Sequence, residues 1–166
     1  MHAHAESLTP GKTTRKQIDE FLAHKRIAVV GVSRNPKDFT RTLFREFRVR
    51  GYDLVPVNPA SSEVDGLKCY ASVRDVQPPV RAVLLFTSPE VTEQVIGDCV
   101  AANVKHVWMY RATGQGAVSG AAVAACRENG IGVVAGECPY MFFHKTGFPH
   151  RVHGFIRKIM GSYPAA

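Results

Sequence analysis

Four short stretches carry side chains able to hold a polyanion. The first is Gly31, Val32, Ser33, Arg34, Asn35 and Pro36, directly after the apolar run 26–30. A glycine lets main-chain amides come close to a phosphate, and a serine hydroxyl adds a further donor. An arginine fork can take two phosphate oxygens at once. The second stretch is Val57, Asn58 and Pro59, and the third is Thr87 and Ser88. The fourth is Tyr110 and Arg111, within the glycine-rich "MYRATGQG". Ser33 stands where a G-x-G-x-x-G fingerprint has its second glycine, so the first stretch is a variant phosphate turn, not the dinucleotide signature.

Nucleophilic and metal chemistry find less support. No G-x-S-x-G elbow, H-E-x-x-H pair or Walker loop occurs. Cys69, Cys99, Cys126 and Cys138 form no C-x-x-C pair, which argues against zinc-ribbon and thioredoxin chemistry. Free thiols in a reducing compartment are expected, with Cys99 and Cys126 packed as small apolar residues. Cys138, His144, His150 and His153 fall within sixteen residues, beside Glu137. Their spacing, C-x5-H-x5-H-x2-H, is no zinc pattern. They read as a basic tail with exposed histidines, and no metal is expected.

The net charge of +7 favours an acidic partner. The aromatics are not arranged as an RRM or cold-shock stacking surface, which puts a phosphate-rich small molecule ahead of nucleic acid. A nucleic-acid module built on Arg41, Arg45 and Arg48 is the weaker reading, because a solvated helix face accounts for the same arginines.

The elements that must position the four stretches alternate. "TTRKQIDEFLAHK" has helical spacing at Ile18, Phe21 and Leu22 behind Thr13 or Thr14 as N-cap. "RIAVV" is a buried strand. A helix over 38–50 sets Phe39, Leu43, Phe44 and Phe47 on one face and the three arginines on another. "YDLVPVNP" is the second strand, and 60–80 is broken and polar, a loop with a helical turn. "AVLLF", "HVWMY" and "IGVVA" are further strands, separated by "SPEVTEQVIGDCVAAN" and "AVSGAAVAACRENG" as helices. In the first of these helices Ser88 is the N-cap, Pro89 opens the first turn, and Val91, Val95, Ile96 and Cys99 form a buried stripe. This order implies an α/β fold, a Rossmann-like doubly wound parallel sheet of about five strands with helices on both faces. Its strand ends bring the four stretches to one edge.

The end of the second strand discriminates between cofactors. NAD proteins place Asp or Glu there to accept from the ribose hydroxyls. This chain has Asn58, with no acid until Glu63. A neutral end suits a ribose that already carries a phosphate, which allows NADP or coenzyme A and weakens plain NAD.

"VVGVSRNP", "GYDLVPVNP", "GLKCYASVRDV", "AVLLFTSPE" and "VWMYRATG" together resemble the CoA-binding domain family, small proteins akin to the nucleotide-binding domain of the succinyl-CoA synthetase α subunit. The resemblance covers about residues 20–140. The family's Gly-x-Ser-x-x-Pro turn matches Gly31, Ser33, Asn35 and Pro36. Its "VNP" matches Val57, Asn58 and Pro59, and its Gly-x-x-Cys-Tyr-x-Ser matches Gly66, Cys69, Tyr70 and Ser72. The resemblance implies CoA lying across the strand ends. Gly31, Ser33, Arg34 and Asn35 would meet the pyrophosphate, and Val57, Asn58 and Pro59 would flank the adenosine. Thr87, Ser88, Tyr110 and Arg111 would border the pantetheine or ribose. Family members often carry Ser-Tyr-Arg-Val at the start of the first helix after the phosphate turn, whereas this chain has Thr-Arg-Thr-Leu at 40–43.

The sequence thus reads as an N-terminal arm and helix over 1–25, a CoA-binding Rossmann-like domain over 26–140, and a basic tail over 141–166 docking through Phe155, Ile156 and Ile159. The synthetase's phosphorylated histidine belongs to a separate domain for which this length leaves no room. The expected function is therefore binding of CoA or acyl-CoA with no catalytic centre of its own. Such a protein would sense, buffer or present the cofactor to a partner protein or a second copy. The alternative is an NADP-binding domain with a redox or regulatory role. No apolar run approaches a membrane span, and "MHAHAESLTPGKTTRK" lacks the apolar core of a secretory signal, so a cytoplasmic location is expected.

Overall fold

The computed structural model describes residues 11–143. Within them five parallel strands make one sheet: β1 (Arg26–Val30), β2 (Asp53–Val57), β5 (Ala82–Leu85), β6 (His106–Met109) and β7 (Gly132–Ala135), in the order β2-β1-β5-β6-β7. These runs are apolar on both faces because both faces are covered. Ile27, Val29, Leu54, Leu84 and Trp108 point to one side. There they meet Ile18 and Phe21 of α1 (Arg15–Leu22) and Leu43, Phe44 and Phe47 of α2 (Phe39–Val49). Ala28, Val30, Val55, Val83, Leu85 and Val107 point to the other. They meet Ile96 and Cys99 of α3 (Pro89–Ala101) and Val123 and Cys126 of α4 (Gly120–Glu128). The alternation of faces along each strand thus sorts the core into two layers.

Helix starts follow the local chemistry of the sequence. Thr14 caps α1 in a reciprocal box with Gln17. The Asp38 carboxylate accepts from the Thr40 amide at the start of α2, and Ser88 and Ser119 cap α3 and α4. Thr13 is buried and ties the chain entering α1 to β7, its hydroxyl donating to the Ala135 carbonyl at 3.2 Å.

The segment 60–80 departs from the loop expected of it. Before the helical turn at Val73–Asp75 comes an antiparallel hairpin, β3 (Glu63–Val64) and β4 (Leu67–Lys68). Its two-residue turn has Asp65 at φ 47° and Gly66 at φ 77°, the doubly left-handed conformation that Asp-Gly favours in hairpins. The hairpin also corrects the reading of the arginine face. Arg41 is buried and pairs with the Asp65 carboxylate. Arg45 joins it at 3.0 Å, and Arg48 donates to the Asp65 carbonyl at 3.1 Å. Arg41 is thus no part of a solvated stripe, whereas Arg45 and Arg48 stay exposed, and all three clasp one acidic turn.

At the opposite edge of the sheet, His24 and His106 share a hydrogen bond of 2.8 Å between Nε2 and Nδ1. Gly132 makes room for that ring, since a Cβ there would stand 2.6 Å from His106. The tail residues Phe155, Ile156 and Ile159 and the histidines His144, His150 and His153 lie outside the described residues. Among the described residues no group of His, Cys, Asp or Glu is arranged to hold a metal ion, and no helix is long and apolar enough to cross a membrane.

Candidate functional site

The chain runs from β1 outward to β2, then returns to β5 on the other side of β1. Connections therefore diverge at the carboxyl ends of β1 and β5, with α2 leaving to one face and α3 to the other. Such a switch point leaves a crevice. Here it is a cleft of about 380 Å³, and its lining includes Gly31, Val57, Asn58, Pro59 and Thr87. Gly31 has φ 82° and donates its amide to the Val57 carbonyl at 3.1 Å. A Cβ there would lie 3.1 Å from both the Phe86 carbonyl oxygen and the Thr87 methyl group. Left-handed backbone and close approach both demand glycine.

The remainder of the first turn stands beside the cleft and is braced from within. The Ser33 hydroxyl accepts from the Asn35 amide at 3.1 Å, and the Asn35 side chain accepts from the Lys37 amide at 3.0 Å. The Ser33 amide donates to Thr40 Oγ1, which in turn donates to Asp38. The Thr40 amide, then its hydroxyl, hold the Asp38 carboxyl below its ordinary range. Thr40, the first residue of the departure from the family's helix-start pattern, is thus the group that fixes the turn to α2. From behind, Arg41 donates to the Ser33 carbonyl and Arg45 to the Pro36 carbonyl, at 3.1 and 3.0 Å. Burial alone would raise the Asp65 carboxyl, but hydrogen bonds and charge from Arg41 and Arg45 overcome this and hold it low. Val32 points into the core, whereas Arg34, Asn35 and Pro36 are exposed.

The other expected residues divide. Asn58 is fixed by main-chain pairing, its amide donating to the Tyr70 carbonyl at 2.9 Å, and the buried Cys69 thiol reaches its carbonyl at 3.6 Å. The "CY" of "GLKCYAS" therefore buttresses the end of β2. Thr87 bonds Thr92 within 2.7 Å, and Ser88 serves as the α3 cap. Tyr110 and Arg111 do not line the cleft. Tyr110 packs on Phe86 at 5.1 Å and faces Phe39 at 6.5 Å, and burial pushes its phenol well above the ordinary value. The Arg111 guanidinium lies over Gly136, within 2.8 Å of where a Cβ would stand. Tyr110 lies further along the strand-end edge, on the α2 side, and Arg111 follows it toward the end of β7.

One wall of the cleft was not anticipated. Val91, Gln94, Val95 and Asp98 of α3 line it, opposite Ala71, Ser72 and Val73. Val91 was expected in the core stripe but is 42% exposed. The spacing 91, 94, 95, 98 is one helical face. Its mixed composition was visible, but apolar residues at that spacing equally fit a core.

Comparison with known proteins adds an independent line. Residues 25–144 match the profile of a family described as CoA binding domain. The YneT protein of Bacillus subtilis (strain 168) is 29% identical over 126 residues, covering 75% of this chain and 90% of YneT. The α subunit of ADP-forming acetate–CoA ligase II from Pyrococcus furiosus is 30% identical over 91 residues, 54% of this chain but 20% of the subunit. A solved structure of a hypothetical protein from Pyrococcus horikoshii OT3 superposes with a TM-score of 0.70 at 30% identity, covering 84% of this chain and 94% of that one.

Proposed function

The chain belongs to the CoA-binding domain family, and we propose that it binds coenzyme A or an acyl-CoA at the carboxyl ends of β1, β2 and β5. The observation that carries this reading is the cleft itself, which joins a left-handed Gly31, a neutral Asn58 and a helix N-terminus at one switch point. The diphosphate lies over Gly31 and Ser33, where the missing side chain of Gly31 lets a phosphate come close to the main chain and the dipole at the start of α2 favours negative charge. The adenosine enters between Asn58–Pro59 and α3. The pantetheine runs along the strand-end edge toward Tyr110 and Arg111. Arg34, exposed beside the turn, is free to swing onto a phosphate.

We assign the protein a carrying, sensing or buffering role in the cytoplasm, where thiols such as its four cysteines stay reduced. Calorimetric titration with CoA and, separately, with NADPH tests the reading. One CoA per chain with weaker or no NADPH binding is expected. NADPH binding without CoA binding would overturn it.

A further inference from the structure

The cleft has a polar end that diphosphate binding does not use. Asp98 lies seven residues beyond Val91 on α3, about 10 Å along the helix. Its Oδ2 accepts from the Ser72 hydroxyl at 3.0 Å, and its other carboxylate oxygen has no hydrogen-bond partner among the described residues. Between this end and Gly31 the walls are mostly apolar, with Val57 and Val73 on one side, Val91 and Val95 on the other, and Gln94 as the polar side chain of the α3 wall. A slot of this kind suits a flat heteroaromatic ring with one polar edge read at its far side.

We infer that Asp98, held in place by Ser72, reads the 6-amino group of a purine and makes the cleft selective for adenine. The inference rests on the CoA reading above. Gly31 and Thr87 fix the diphosphate end next to the start of α3, so the ribose comes next and the base reaches furthest along the helix, toward Asp98. A carboxylate accepts hydrogen bonds and donates none. The amino group at C6 of adenine satisfies it; in hypoxanthine a carbonyl oxygen stands at that same position and opposes it, and the N1–H beside it pairs with the carboxylate only if the base shifts. Ser72, which also caps the turn at Val73–Asp75, keeps the carboxylate in one orientation. Base selection therefore sits on α3, while the end of β2 stays neutral.

Titration of the wild-type protein with CoA and with deaminated CoA, whose base is hypoxanthine, tests this. Asp98→Asn is measured with the same pair, because the amide preserves an acceptor for Ser72 and adds a donor for the C6 carbonyl. The wild type is expected to bind CoA about tenfold or more tightly than the deaminated form, since a misfit leaves the acceptor unpaired. Asp98→Asn is expected to shrink or reverse that ratio. Equal wild-type affinity for the two ligands, or an unchanged ratio in Asp98→Asn, would overturn the inference while leaving CoA binding intact. Absence of binding to either ligand by the wild type would overturn the CoA reading and this inference with it.

Discussion

Gly31 shows how much one residue can decide. Its φ of 82° and the 3.1 Å clearance from Phe86 and Thr87 leave no room for a side chain. Gly31→Ala is expected to cost about 1–2 kcal/mol of stability, a fall in Tm of a few degrees at this size. It should also weaken CoA binding by about tenfold or more, because the added methyl group and the displaced backbone close the approach of a phosphate to the turn. Paired melting and titration curves check both effects. On the proposed reading, Asn58 stands beside the sugar. Asn58→Asp would set a carboxylate near a phosphorylated ribose, so CoA affinity should drop while dephospho-CoA, which lacks that phosphate, loses less; competition between the two measures the shift. Both positions were legible in the sequence because their signals are local: a glycine after a buried strand, and an amide where an acid is usual. Tyr110 and Arg111 were less so. A strand end identifies the edge of the sheet, but only packing against Phe39 and Phe86 shows on which side of that edge a residue falls.

At the scale of elements, the hairpin β3–β4 and helix α2 act together through Asp65. The carboxylate neutralises Arg41 and Arg45, which themselves hold the Ser33 and Pro36 carbonyls. Asp65→Asn leaves a buried guanidinium without its counter-charge and is expected to cost about 3 kcal/mol, less whatever solvent recovers. Denaturant unfolding at neutral pH measures it. The carboxyl is held below its ordinary value in the fold, so its contribution is complete above about pH 4 and fades as pH falls through the lowered value. The variant should therefore lose less stability than the wild type over that acid range. None of this could be read from the arginines alone. Arg41, Arg45 and Arg48 lie at helical spacing on a polar face, as a solvated stripe would, and their common partner is far along the chain. The Asp-Gly turn signal was present, but strands of two residues show no alternation to support it. The face of α3 misled for a related reason: Val91 looks like core until Ala71–Val73 is seen to leave a gap opposite it, while Val95 packs on the core and lines the cleft as well.

For the whole molecule, the alternation of five apolar runs with four amphipathic segments was enough to imply the parallel sheet and its two helical layers. The order β2-β1-β5-β6-β7 sets the cleft at the carboxyl ends of the strands and the histidine pair at the opposite edge. Burial, then the neighbouring His106 and Arg81, lower the His24 value. A lowered folded-state value means the fold accommodates the neutral ring, so stability is full above about pH 6.5 and declines as pH falls below it. Wild-type urea midpoints should drop between pH 7.5 and 5.5, and His24→Gln should reduce the drop; equal drops would remove the pair as its source. The most direct test of the ligand edge is a crystal structure of the protein saturated with CoA. The expected result is density for the diphosphate over Gly31 and Ser33, with the adenine between Asn58–Pro59 and α3. CoA bound elsewhere on the molecule, with this cleft empty, would contradict it.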